Sequence, residues 1–303
     1  MNPNQSPPLQ YALLLLILML SGCSEKKADP RTKDFALIKK LVPYDVTMDA
    51  PMQGDWLFEH EEHGQNFEQY RKSAPVSPSA MQKYIYLQPI GTFAADEDNL
   101  IRYTAEYLEI FFHLKTIVLP TIRDSTIPAT ARRTREEGYE QLLTSYILDH
   151  MLAKAIPEDA IVIMGITQKD LYPAEAWNFV FGQARLKKRV GVSSFIRFHE
   201  GALNDSNFGL CLERFIKTSS HEIGHMFSCQ HCTHAVCVMN GSNSLYETDE
   251  RPNRLCSECL KKLYWNLGFD VKNRSLALQT YFKNHNLTED YHLITRDVGE
   301  LED

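Results

Sequence analysis

The chain has 303 residues, 44% of them hydrophobic and 23% charged, ordinary values for a soluble protein and enough for one globular domain with extensions. Its net charge is −7 and it has no basic block, which argues against nucleic acid as a partner. Six of the seven cysteines follow residue 210, so they point to one metal-rich module rather than a disulfide framework spread along the chain.

The exception is Cys23. The apolar run Tyr11 to Leu20 is too short to anchor across a bilayer, and it leads into Leu20-Ser21-Gly22-Cys23, which resembles a bacterial lipobox. On that resemblance residues 1–22 are a signal peptide and Cys23 is the lipidated mature N-terminus. The protein is then expected at the cell envelope, on the periplasmic side or the cell surface (the outer membrane in a Gram-negative cell). The first ten residues carry no Lys or Arg, which departs from the pattern; a plain secretory signal or a hydrophobic extension on a cytoplasmic protein is the alternative. Residues 23–51 are expected to be a tether and extension, flexible to about Lys33, and residues 52–303 the folded domain.

Proline and glycine punctuate residues 43–80, a loop-rich stretch with a short helix near Gln65 to Lys72; His60 and His63, in the charged run HEEHG, read as solvated surface. Strands are expected at Tyr84 to Pro89, Lys115 to Leu119, Ala160 to Thr167, Asn178 to Ala184 and Val190 to Phe198, with Ala160 to Thr167 central and buried on both faces. Helical spacing marks Leu100 to Leu114, Ala131 to Ala155, Ser257 to Leu267 and Arg274 to Lys283. Asp170 to Pro173 is expected to be a turn, and Asn284 to Asp303 a polar end with no assigned chemistry.

The chemistry sits in Ser219 to Cys232, SSHEIGHMFSCQHC. Leu212, Phe215, Ile216, Ser219, Ile223, Met226 and Phe227 form a buried helical stripe. His221 and His225, four apart on that helix, can face one ion, with Glu222 beside the first of them. His231 must be brought back by a bend. Three imidazoles and an open position describe a catalytic rather than a structural zinc. An ordinary core helix carrying two histidines explains neither Glu222 nor the cysteines beyond it. Cys232, Cys237 and the C-x-x-C pair Cys256 and Cys259 suit a closed four-thiolate zinc, although export to an oxidising compartment would favour two disulfides instead. Cys211 and Cys229 read as buried small hydrophobes. Met239, in a turn-rich stretch after the third histidine, occupies the place of a Met-turn.

The run HEIGHMFSCQHCTHAVCVM…CSEC resembles the archaemetzincins, and GDWLFEH…GQNFEQY…YIYLQPIG resembles their N-terminal segment more weakly. The resemblance implies an α/β, metzincin-like single domain: a twisted mixed sheet with long helices, the zinc helix, a Met-turn and C-terminal helices. It implies His221, His225 and His231 as ligands of the catalytic zinc, Glu222 as the base, Cys232, Cys237, Cys256 and Cys259 as ligands of a second zinc, and Met239 as the Met-turn residue. It also makes Asn178 to Ala184 the edge strand that pairs with extended substrate. The family's glycine is Ser228 here. That position needs positive φ, at a cost of about 1–2 kcal/mol to a non-glycine residue, and it governs the reach of His231.

These residues predict hydrolysis of peptide bonds in a peptide or protein substrate, by a monomer holding two zinc ions, with a zinc-activated water and Glu222 as base. A catalytically weak or inactive, zinc-stabilised envelope binding lipoprotein is the alternative, in which Ser228 has spoiled the ligand geometry. Tyr246 is a further candidate for the oxyanion, although a surface tyrosine is the simpler reading.

Overall fold

Ala160–Thr167, eight consecutive buried residues, is the central strand of the computed structural model, which describes residues 32, 34–135 and 138–302. In chain order the strands are β1 (Tyr84–Ile90), β2 (Thr116–Val118), β3 (Arg132–Thr134), β4 (Glu140–Leu143), β5 (Ala160–Thr167), β6 (Asp170–Tyr172), β7 (Gly182–Arg185) and β8 (Val190–Ser194). The main sheet runs β2-β1-β5-β8-β7; every pairing is parallel except β7 with β8. Both faces are covered, which is why β5 is apolar without alternation. Val162, Met164 and Ile166 face the larger core, and Ile163 faces a smaller one with Leu142, Leu148 and Leu152.

The larger core is built by α1 (Ala95–Phe112), α2 (Phe208–Met226), α3 (Ser257–Leu267), α4 (Val271–Asn284) and α5 (Thr288–Glu302). The expected stripe of α2 is buried from Leu212 to Phe227, and the helix lies across β7 and β8. Its C-terminal half is thereby set beside the edge strand. The core begins before residue 52: Ile38 and Leu41 are buried in it, and Asp45 accepts hydrogen bonds from the Ser257 N–H and Oγ at 3.0 and 2.5 Å. Cys23 and the apolar run before it lie outside the described residues. Among the described residues no helix is long and apolar enough to cross a membrane.

Two expectations fail. Ala131 to Ala155 is not one helix. Arg132–Thr134 and Glu140–Leu143 form an antiparallel hairpin, and only then does the chain turn helical, with a π segment at Ile147–Leu152. Gly138, at φ 88°, breaks the pattern, and Arg132 bonds Glu140 across the hairpin at 2.5 Å. Asp170–Tyr172 is a strand rather than a turn, because β4 supplies a parallel partner and Gln141 donates to Asp170 at 2.6 Å. The polar C-terminal end is helical: Ile294, Val298 and Leu301 bury one stripe of α5, and the buried Asp290 and Asp297 accept hydrogen bonds from Asn253 and Arg254.

Candidate metal centre

His221 and His225 project from one face of α2 with ring centroids 4.5 Å apart. The helix then ends in a Schellman motif: the Cys229 N–H donates to the Gly224 carbonyl at 3.1 Å and the Ser228 N–H to the His225 carbonyl at 2.8 Å. Ser228 takes the left-handed position, φ 69°. Its side chain offsets part of that strain. Oγ donates to the Leu186 carbonyl and accepts the Val76 N–H, both at 3.2 Å. The bend therefore forms without glycine, and His231 returns to 5.2 Å from His221 and 4.8 Å from His225, ring centre to ring centre. Ser228 does not spoil the geometry of the three rings.

Each imidazole has an oxygen at Nδ1. His221 bonds the Val238 carbonyl at 2.9 Å, His225 the Cys229 carbonyl at 2.7 Å, and His231 both carboxylate oxygens of Glu62 at 2.9 Å. A neutral ring that donates through Nδ1 carries a lone pair on Nε2. Burial, reinforced by the neighbouring rings, holds His221 well below the usual histidine range and His225 at about 3, so neither ring is protonated at neutral pH. Yet their Nε2 atoms stand 2.9 Å apart, lone pair against lone pair. One ligand atom from each of the three rings lies within 4.8 Å of the others. That donor set fits a divalent cation.

Glu222 lies beside this cluster, 7% exposed, and lines the same cleft of about 800 Å³. Burial pushes its carboxyl up to about 8. The carboxyl rests against the backbone of β7: a Cβ on Gly182 would meet its Cγ and Oε1 at 2.7 Å. The laddered edge strand is Gly182–Arg185, shorter than the expected Asn178 to Ala184, because Val180 bridges to Leu171 of the smaller sheet instead. Tyr246 is 72% exposed, a surface residue.

Met239 sits fully buried against Gly224 of α2. Its sulfur would be 2.5 Å from a Cβ on Gly224, so the glycine inside H-E-I-G-H admits it. The residue before it, Val238, supplies the acceptor for His221. Asn240 closes the loop by donating to the Cys232 and Ala235 carbonyls at 2.7 and 3.0 Å and accepting the Cys237 N–H at 2.7 Å. Cys232, Cys237, Cys256 and Cys259 are buried together with all four sulfurs within 4.8 Å of one another. Cys232 and Cys256 are 3.6 Å apart, far beyond a disulfide bond and near the ~3.8 Å separation of thiolates tetrahedral about zinc. Backbone N–H groups of Cys256 and Cys259 point at sulfurs of the cluster at 3.2 and 3.5 Å. Burial alone would lower Lys262, but the sulfurs of Cys259, Cys229 and Cys232 raise it, so a buried cation stands next to the cluster. Cys211 and Cys229 are buried free thiols, each pushed up by burial to about 12.

The stretch around HEEHG, whose His60 and His63 are expected to be solvated surface, lines the cleft through Trp56, Glu62, His63 and Gly64, with His63 exposed. His60 packs on Trp56 at 4.1 Å and stacks with Trp177 at 6.2 Å, and Trp56 meets His231 edge-on at 5.0 Å. Burial raises the Glu62 carboxyl, but its hydrogen bond and attraction to His231 outweigh that and leave it below the ordinary value. No local signal in HEEHG marks this role, which depends on a contact 169 residues away.

Residues 99–264 match peptidase family M54. Archaemetzincin-2 of Rattus norvegicus is 35% identical over 272 residues, covering 78% of this chain and 74% of the relative. Archaemetzincin-1 of Homo sapiens is 31% identical over 258 residues, covering 75% of this chain and 52% of the relative. The crystal structure of an archaemetzincin from Methanopyrus kandleri is 28% identical and covers 63% of this chain and 99% of its own, with a TM-score of 0.48.

Proposed function

The chain belongs to peptidase family M54, with the archaemetzincins, and is a zinc metallopeptidase; on that premise we propose that His221, His225 and His231 hold the catalytic zinc and Glu222 is the general base, while Cys232, Cys237, Cys256 and Cys259 hold a second, structural zinc. The observation that carries this reading is the convergence of three imidazoles, one ligand atom from each within 4.8 Å of the others, beside a buried carboxyl in an open cleft.

A zinc ion held by the three imidazoles would supply a Lewis acid able to polarise a carbonyl and to acidify water toward neutral pH. The protein's own contribution is proton handling and substrate alignment. Glu222 takes the proton of the attacking water and hands it to the leaving amine. Burial raises its pKa to about 8, so one carboxyl can both accept and return a proton near neutral pH. The outer edge of β7 offers main-chain N–H and C=O groups to an extended peptide, recognising backbone whatever the side chains. Replacing Glu222 by Gln should lower kcat by about 10²- to 10⁴-fold with zinc content and Tm unchanged; full activity in that variant would remove Glu222 from the mechanism.

Leu20-Ser21-Gly22-Cys23 supports a lipid anchor at the cell envelope, which would confine hydrolysis to peptides or proteins that reach that surface. A Cys23→Ser change should move the protein from the membrane fraction to the soluble fraction. Wild-type protein found wholly soluble would rule the anchor out.

A further inference from the structure

We propose that Glu62 is a positioning residue of the catalytic metal centre, its carboxylate fixing the tautomer and orientation of His231. The inference rests on the three-histidine reading of that centre. It goes beyond it by assigning a role to a residue that lies upstream of the stretch matching the family, residues 99–264.

The three ligands are not held alike. His221 and His225 stand on a helix, and each ring is fixed by a backbone carbonyl, of Val238 and of Cys229. His231 stands in irregular backbone past the end of that helix, so no helical geometry fixes its ring. Its Nδ1 partner is the Glu62 carboxylate, both oxygens at 2.9 Å. A carboxylate at the distal nitrogen of a ligating imidazole keeps the proton on that nitrogen, leaves Nε2 free for the metal and makes it a better donor.

Glu62 is also held in place, which separates it from a surface acid that happens to touch a histidine. On its N-terminal side the Trp56 N–H donates to both Glu247 oxygens at 3.2 Å, and the Trp56 ring fills the space that a Cβ on Gly241 would need. On its C-terminal side Gly64, at φ 65°, passes so close to Thr233 that a Cβ would overlap its Oγ1. Beyond it Lys262 donates to the Gln65 carbonyl, and the Phe67 N–H donates to Glu258 at 2.5 Å. The anchors on both sides of Glu62 are made to the segment from Thr233 to Lys262 that comes after His231. Residues 56–66 thus act as a strap that delivers one carboxylate to one ligand.

The test compares the zinc-loaded enzyme with Glu62→Ala, Glu62→Gln and Glu61→Ala, the last being the exposed neighbour of equal charge. Zinc retention against a competing chelator and the absorption spectrum of the cobalt(II)-substituted histidine centre are the readouts, neither of which depends on hydrolysis. A failure here is therefore distinguishable from a failure of the peptidase reading. Glu62→Ala should release the catalytic zinc about 10- to 100-fold more readily, keep the cysteine-bound zinc and shift the cobalt spectrum. Glu62→Gln, which keeps a neutral acceptor of the same shape, should fall between Ala and wild type, and it decides the matter if the alanine variant does not fold. Glu61→Ala should match wild type. Zinc retention and spectra in Glu62→Gln indistinguishable from wild type, or equal loosening by Glu61→Ala, would overturn the proposal.

Discussion

The histidine and cysteine centres are joined by a single peptide bond, His231 to Cys232, yet they are built on opposite plans. Around the histidines the ring nitrogens face a cleft of about 800 Å³, with a buried carboxyl beside them. Around the cysteines all four sulfurs are buried, backbone N–H groups point inward, and a buried lysine stands close by. A closed centre serves the fold and an open one serves chemistry. The segment Cys232–Asn240 belongs to both: it ties two cysteines, the Val238 acceptor of His221 and the buried Met239 into one closed loop. Damage should therefore travel from the cysteine centre to the histidine centre, but not back.

The largest effect should come from loss of a thiolate. Cys259→Ser should release the structural zinc, lower Tm more than any histidine substitution and take the catalytic zinc with it. Structural zinc sites contribute on the order of 10 kcal/mol to folding. Zinc analysis with thermal unfolding checks this, and a variant that keeps its catalytic zinc and wild-type Tm would break the asymmetry. A smaller effect, confined to chemistry, is expected from Gly182→Ala. The added methyl meets the Glu222 carboxyl at 2.7 Å and must displace it. Hydrolysis should fall by roughly 10²-fold, the scale of a misplacement of about 1 Å, with both zincs retained. Unchanged kcat would mean that the carboxyl does not depend on the bare edge of β7. The smallest effect belongs to the bend between the centres. Ser228→Gly relieves a left-handed residue but gives up two hydrogen bonds, so stability should change by less than about 1 kcal/mol, read from urea unfolding.

The parts of the site legible in the sequence were those written at short range. His221, Glu222 and His225 share one helical turn, and the cysteine pairs sit at ligand spacing, so residue type and interval were enough. Gly224 belonged to the same class, but a glycine between two ligands carries no meaning until Met239 is seen beneath it. Gly182 and Glu62 could not be read. Each acts through a contact with a residue far along the chain, and HEEHG has the composition of a solvated loop. The fold divided the same way. Ala160–Thr167 is buried on both faces and announces itself, whereas Glu140–Leu143 carries a helical pattern and becomes a strand only because Asp170–Tyr172 pairs with it. The helix Thr288–Glu302 was there to be found: Ile294, Val298 and Leu301 keep helical spacing within an acidic stretch.

The most direct test of the two-centre account is zinc content per chain, measured on purified wild-type protein and on His225→Ala. The account predicts two zinc ions in the wild type and one in a folded His225→Ala variant, the survivor held by the cysteines. A single zinc in the wild type that His225→Ala leaves untouched would contradict it, since the three converging imidazoles would then hold no metal.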